Sequence, residues 1–343
     1  MGLIPIDGAM GEGLVLRTAL TLAAVTGQAF EMTRIRARGP RPGLQPRHVA
    51  AVRAVGMCCQ AEVHGAFDGS PDLRFKPGAS TAGTYDFDMG TAGATTLVLQ
   101  AVLPAAAAAD EPSAFSISGG THLSGSPSYH FVARHWAPMV ERLGLRPSLV
   151  LERAGFAPRG EGRLRAGVSP RARSAHLDLT KRGPLVEVRG LSGEARLKGG
   201  VARRQADAAR ALLWEQRRLE SDWDVLELPA VAPGSCLQIE AIFENGRAAF
   251  GFLGERGVSA EMMGERASRR LLRFLDDDDA CIDPWLADQL AVPAALAGGG
   301  ARLATSELTP QLETVASVLG LFGVTATTFG RPGGPGGLEI EKC

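Results

Sequence analysis

Six arginines (Arg34, Arg36, Arg38, Arg41, Arg47 and Arg53) fall between residues 34 and 53, with no acidic residue among them. A guanidinium is a planar fork of donors that meets phosphate oxygens two at a time. A run of this kind can therefore cradle a phosphodiester backbone, with His48 beside it at a helix start. The stretch also reads as a solvated basic surface. Of 37 Lys+Arg only Lys76, Lys181, Lys198 and Lys342 are lysines, a bias that a GC-rich coding sequence also produces. Lys+Arg 37 and Asp+Glu 37 give a formal net charge of zero, which excludes a basic coat over the whole surface but not a local basic face.

Other residues could do chemistry. Gln100 interrupts the apolar LVLQAVL, where an amide needs a hydrogen-bond partner. Glu12 stands in the glycine-rich turn GAMGEG. Residues 276–279 are four consecutive aspartates, read as a solvated linker or as carboxylates for Mg2+, although consecutive carboxylates rarely converge. The five cysteines (Cys58, Cys59, Cys236, Cys281, Cys343) have no CxxC spacing, which argues against a zinc knuckle and a disulfide scaffold.

These residues must be held by a sizeable fold. At 343 residues, 45% hydrophobic and 22% charged, the chain is too long for one small module and too apolar for wholesale disorder. Periodicity predicts a helix after the turn and closed by Gly27, a strand over 30–35, a helix over 47–59, and short strands at 62–64 and 73–76. A second round follows: strand 85–89, helix 94–109, strand 113–118, helix 130–143, strand 147–152. A third has helices over 285–297 and 311–321 and strands over 301–305 and 324–328. Strand and helix alternate in repeated α/β units. Between the second and third rounds the texture changes, with strands near 185–195, 237–246 and 248–255 and helices over 203–220 and 259–275. The expected division is a repeated core in residues 1–181 and 276–343, with a small α/β domain inserted over 182–275. MGLIPIDGAMGEG is no signal peptide, and the apolar stretch 95–109, cut by Gln100 and Pro104, is too short to span a bilayer. A cytoplasmic protein with no membrane partner is expected.

Five segments, in order, resemble the RNA 3'-terminal phosphate cyclases and their cyclase-like relatives. They are IDGAMGEGLVLRTALTL (6–22), IRARGPRPGLQPRH (35–48), TAGATTLVLQAVLP (91–104), SGGTHLSGSPSYHF (118–131) with GFAPRGEG (155–162), and WLADQLAVPAALAGGG (285–300). VSAE (258–261) also fits. The resemblance implies three repeats of a four-stranded sheet with two helices, plus a small inserted α/β domain. It also implies ATP with Mg2+ or Mn2+, and RNA 3' ends as partner, with no DNA preference. In that chemistry a histidine takes AMP and passes it to an RNA 3'-phosphate, and the 2'-hydroxyl then closes a 2',3'-cyclic phosphate. Carried over residue by residue, Glu12 associates with metal; its other reading is a helix-entry carboxylate. Arg17 lies near the phosphates, or is a surface arginine. Gln100, Asp288 and Gln289 contact the nucleotide. Trp285 stands where the family has an adenine-stacking tyrosine, or packs in the core. Arg36, Arg38, Arg41 and His48 face RNA phosphates.

The family's nucleophilic histidine falls on Pro310, in SELTPQLET (306–314). Proline has no lone pair to attack a phosphate, and no histidine lies beyond His176. After Lys181 only Lys198 and Lys342 could form a phosphoramidate. The turn is two residues shorter than the family's, and the second loop arginine falls on Gly39. His122 and His130 are loop histidines that could also sit near a nucleotide. Three readings follow. The first is an ATP-dependent RNA 3'-phosphate cyclase. The second is a non-catalytic RNA-end-binding or RNA-processing scaffold with protein partners. The third is a different transferase on the same scaffold.

Overall fold

A strand that feeds a helix packed on its own sheet returns parallel to itself through a right-handed crossover. The computed structural model, which describes residues 2–91, 93–172, 176–277 and 279–342 without the Glu12 side chain, shows this crossover repeated along the chain. β1 (Ile4–Asp7), α1 (Glu12–Thr26) and β2 (Phe30–Thr33) form the first, followed by α2 (Pro46–Cys58), β3 (Glu62–His64) and β4 (Leu73–Lys76). The sheet order is β1-β2-β4-β3, with only β1 and β2 parallel. The second unit repeats this order. It contains β5 (Thr84–Asp88), α3 (Thr95–Ala106), β6 (Ser113–Gly119), α4 (Tyr129–Phe131), a π-helical turn (Val132–Trp136), α5 (Ala137–Glu141), β7 (Pro147–Arg153) and β8 (Gly162–Val168). Its sheet runs β5-β6-β8-β7.

The third unit starts with β9 (Leu177–Leu179) and is then interrupted. The chain builds a separate sheet from β10 (Leu185–Ala195), α6 (Val201–Arg217), β11 (Asp222–Glu227), β12 (Gly234–Phe243), β13 (Arg247–Leu253) and α7 (Ala260–Leu275), ordered β11-β10-β12-β13. It resumes with α8 (Pro284–Ala297), β14 (Ala301–Thr305), α9 (Pro310–Leu321), β15 (Ala326–Gly330) and β16 (Gly336–Ile340). β9 pairs parallel with β14, which gives the order β9-β14-β16-β15. Three units of one topology, with an α/β unit inserted into the last, make up the fold. The inserted sheet and its helices bury their own cluster, with Leu213, Ile239, Ala267 and Leu271 at its centre.

α1 is apolar on most of its surface because it lies among α2, α3, α8 and α9. Gly27 ends it in the left-handed conformation (φ 73°), with its N–H on Ala23 O. Among the described residues no helix is long and apolar enough to cross a membrane; α3, from the longest apolar stretch, is core.

The structure departs from expectation where pattern was thin. β1, β8, β9, β11 and β16 were not foreseen. In β8 the alternation of buried Leu164, Ala166 and Val168 is masked by Arg163 and Arg165. β2 stops at Thr33, because Arg34 (φ 55°) and Arg36 (φ 52°) turn the backbone left-handed. The helix expected over 130–143 carries the π-turn. Asp276 of the four-aspartate run pairs with Arg217, and Asp278 lies outside the described residues.

The π-turn directs two side chains into α8. His135 Nε2 lies 2.6 Å from Asp283 Oδ2, and Trp136 Nε1 donates to Gln289 O at 3.1 Å. Asp283 is fully buried. It caps α8 by accepting Leu286 N–H at 3.0 Å and also takes Ala249 N–H from β13 at 3.1 Å. Asp283→Ala leaves three buried donors without an acceptor, so a loss of about 3–5 kcal/mol is expected. Urea unfolding of the variant checks this; a loss under about 1 kcal/mol would show that the three donors find other acceptors.

Candidate functional site

The three repeats bring equivalent helices together. α1, α3 and α8 begin at Glu12, Thr95 and Pro284, and the sixth residues are Arg17, Gln100 and Gln289. All three line one small cavity of about 60 Å³, with Thr18, Thr21 and Asp288. A triplicated fold has thus placed one cation and two amides where its helices converge.

This centre lacks internal partners. Gln100 Oε1 and Nε2 are both buried with no hydrogen bond. Arg17 has no carboxylate partner among the described residues, and burial, then the Arg47 charge, pull its pKa down to about 10. It remains a desolvated cation at neutral pH. Gly13 allows a close approach: a Cβ there would lie 2.9 Å from His48 Nε2 and 3.0 Å from Arg17 Nη1. His48 Nδ1 accepts the Gln45 N–H at 3.1 Å, and Arg47 Nε donates toward His48 Nε2 at 3.4 Å. Burial, then the charges of Arg47, Arg36 and Arg17, hold its pKa down to about 3, so the ring is neutral. Arg36 is buried; its Nη1 donates to Arg41 O and its Nε has no partner.

Asp288 also lines a larger cavity of about 540 Å³, with Trp285, Arg270, Arg273, Thr309 and Pro310. That is within the size range of small-molecule sites. Trp285 is 40% exposed and lies edge-on to Phe250 (5.9 Å between centroids), with Arg270 5.1 Å from its ring centroid. One indole face is thus already in contact with a cation. Asp288 accepts from Thr309 Oγ1 at 2.5 Å, while burial, then the charges of Asp283 and Glu307, raise its pKa to about 7. Thr309 also caps α9 by accepting Leu312 N–H at 3.0 Å, which puts Pro310 at the first helical position. Among the described residues no histidine, lysine or cysteine lines this cavity.

The structure therefore gathers Arg17, Gln100, Asp288 and Gln289 at one point, with His48 against Arg17, and places Trp285 and Pro310 in the adjoining cavity. Arg17 is not a surface side chain and Trp285 is not core. Arg38 and Arg41 are exposed and line neither cavity. The Glu12 side chain lies outside the described residues. Sequence reasoning missed Arg270 and Arg273, whose i, i+3 spacing on the amphipathic α7 was the available signal.

A family model described as RNA 3'-terminal phosphate cyclase matches residues 9–328. Proteins named RNA 3'-terminal phosphate cyclase are similar over nearly the whole chain. The one from Ralstonia nicotianae is 42% identical over 326 residues, covering 93% of this chain and 91% of its own. That from Methylococcus capsulatus is 40% identical over 334 residues, covering 94% and 92%. That from Methanopyrus kandleri is 37% identical over 350 residues, covering 99% of each.

Two substitutions test the geometry. A buried amide without partners costs about 1–3 kcal/mol. Gln100→Leu is therefore expected to leave urea stability unchanged or raised by about 1–2 kcal/mol, while a phosphate-bearing ligand binds about tenfold more weakly. Lost stability with unchanged affinity would make Gln100 a packing residue. For Asp288 the native state keeps its proton from the ordinary carboxylate range up to about 7, so its share of stability falls as pH rises through that window. Asp288→Asn cannot ionise. The stability difference between variant and wild type should therefore grow from about pH 5 to about pH 8, and urea midpoints measured at both would expose a flat difference.

Proposed function

Because the chain belongs to the RNA 3'-terminal phosphate cyclase family, we propose that it binds the 3'-phosphorylated end of RNA together with ATP across these two cavities, and that it forms no histidine adenylate. The observation that carries this reading is the convergence of Arg17, Gln100 and Gln289, with Gln100 unpartnered and Arg17 without a carboxylate partner among the described residues. A half-buried cation and an unpartnered buried amide suit an oxyanion that arrives with its own negative charge.

The chain's own groups divide the work. Arg17 and the two glutamine amides hold phosphate oxygens in a setting where water is scarce, which strengthens each contact. Neutral His48 lies against Arg17 and does not add charge. Trp285 offers its open face to a base, with Arg270 and Arg273 bringing positive charge from the inserted unit. Arg36, Arg38 and Arg41 carry the RNA backbone outward from the site. When bound, ATP with Mg2+ or Mn2+ supplies the activation of the 3'-phosphate that lets the neighbouring 2'-hydroxyl close a ring. Asp288, half ionised near neutral pH and held by Thr309, orients the phosphate side of the larger cavity and can hold a proton there.

Pro310 removes the protein nucleophile, and among the described residues nothing lining the cavity replaces it as a nitrogen or sulfur nucleophile. Lys198 and Lys342 are exposed and line neither cavity. The same residue favours a second reading, an RNA-end-binding scaffold without turnover.

One experiment separates these readings. The protein is incubated with Mg2+ or Mn2+, ATP labelled on its α-phosphate and a 3'-phosphorylated oligoribonucleotide. One portion is then denatured under alkaline conditions, which preserve a phosphoramidate, and the RNA ends are read from a second portion kept at neutral pH. No label on the protein is expected, with the 3'-phosphorylated oligonucleotide bound about tenfold tighter than its 3'-hydroxyl form and the preference lost in Arg17→Ala. Phosphatase-resistant RNA ends in the same reaction would assign cyclisation; their absence would assign the scaffold. Stoichiometric label on the protein would overturn the reading.

A further inference from the structure

A second group of chemistry-bearing side chains lies at the seam between the second repeat and the inserted sheet. His122 is on the loop leaving β6, His130 is in α4, and Cys236 is on β12. All three are buried, and one ring nitrogen of each histidine and the Cys236 sulfur lie within 4.8 Å of one another. The two imidazole centroids are 5.1 Å apart. Nε2 of His122 and Nε2 of His130 are both buried without a hydrogen-bond partner. A histidine that only fills core space normally has its ring nitrogens satisfied. Here two adjacent rings each leave one unsatisfied, beside a thiol.

We propose that His122, His130 and Cys236 form a binding site for a Zn2+-type divalent transition metal that fastens the inserted sheet to the second repeat. Two imidazoles and a thiolate are a nitrogen–sulfur set that suits Zn2+ and excludes Mg2+ and Ca2+, which take oxygen. Metal–nitrogen distances of about 2.0–2.1 Å and metal–sulfur of about 2.3 Å put tetrahedral ligand atoms roughly 3.3–3.6 Å apart. Side-chain rotations of about an ångström close the cluster to that size. The fourth position is left for water.

The surroundings are arranged for it. His122 Nδ1 lies 2.8 Å from Thr121 Oγ1, which already accepts the Gly155 N–H at 2.8 Å. That hydroxyl oxygen can also take Nδ1–H, and this tautomer leaves the Nε2 lone pair free. Phe156 stacks on His122 at 5.0 Å, and Ala154, Leu191 and Leu228 keep the seam apolar. Burial holds both rings neutral, His130 at about 4, and pushes the thiol up to about 12. Without an ion the cysteine keeps its proton. Binding exchanges that one proton for the metal and releases it to solvent, while the histidines bind through lone pairs and release none.

The test uses the untagged full chain, stripped with a chelator and titrated with Co2+. One Co2+ per chain is expected, with a thiolate-to-cobalt charge-transfer band and one proton released per ion. Cys236→Ser should abolish the band, and His130→Gln should weaken binding by more than the ~10–100-fold that loss of an outer partner costs. Cys281→Ser, whose thiol is buried elsewhere, should change neither. Zn2+ should raise the unfolding midpoint of wild type and not of His130→Gln, a readout that stands if the cysteine variant fails to fold. No stoichiometric uptake by wild type, or a band that survives Cys236→Ser, would overturn the proposal.

Discussion

The part of the site that α8 carries hangs on one buried carboxylate. Asp283 has no exposure to solvent and receives donors from three places: Leu286 N–H in its own helix, Ala249 N–H in the inserted sheet and His135 in the second repeat. A buried carboxylate without such partners would be prohibitively unfavourable; with them it becomes a fixed joint. Because it caps α8, it sets where that helix begins, and hence where Trp285, Asp288 and Gln289 point. Trp136, one residue from His135, holds the Gln289 carbonyl and fixes the same helix nearly two turns later. The π-turn earns its place here, since it presents consecutive His135 and Trp136 to one neighbour.

The repetition of the fold explains why the centre is polar at all. Three copies of one crossover bring three equivalent helices to a common point, and the same position of each faces it. In LVLR, LVLQ and LADQ that position is Arg17, Gln100 and Gln289. Leucines there would have joined the apolar core around them. The chain instead keeps a half-buried arginine without a carboxylate partner among the described residues and an amide with two unmade hydrogen bonds. Such groups are a standing cost to stability, and stability sacrificed locally is a common mark of a binding site.

Much of this was legible in the sequence. Helical periodicity found α1, α2, α3, α7, α8 and α9 closely, because each has a continuous apolar face or a clear cap. The repeat could have been read from residue identity as well as from element order, through the three leucine-led tetrapeptides. What stayed hidden had physical reasons. β8 alternates correctly, but its outward residues are arginines and its inward ones include a small alanine. β9 has three residues and makes sense only once β14 pairs with it, across the whole insertion. The π-turn leaves no mark in composition. Asp283 closes the segment DDDDACID, where the aspartate run draws attention away from the buried carboxylate of Asp283. The cysteine spacing excluded a local knuckle, but three ligands from three separate elements have no spacing to read.

Pro310 completes the physical picture of the site. A helix's first residue has an N–H with no intrahelical partner, so proline at that position sacrifices no hydrogen bond, and its fixed φ favours the helix start. Thr309 caps the same helix with its hydroxyl oxygen and gives its proton to Asp288, so this end of α9 is well satisfied with proline in place. Nothing in the energetics of the fold therefore calls for a histidine at residue 310. The opposite holds for Arg17 and Gln100, which the fold alone would be better without. The residue whose absence costs the structure nothing is the nucleophile, and the residues whose presence is unfavourable are the ones suited to bind phosphate. That asymmetry favours ligand binding as the property this chain maintains, whatever becomes of the covalent step.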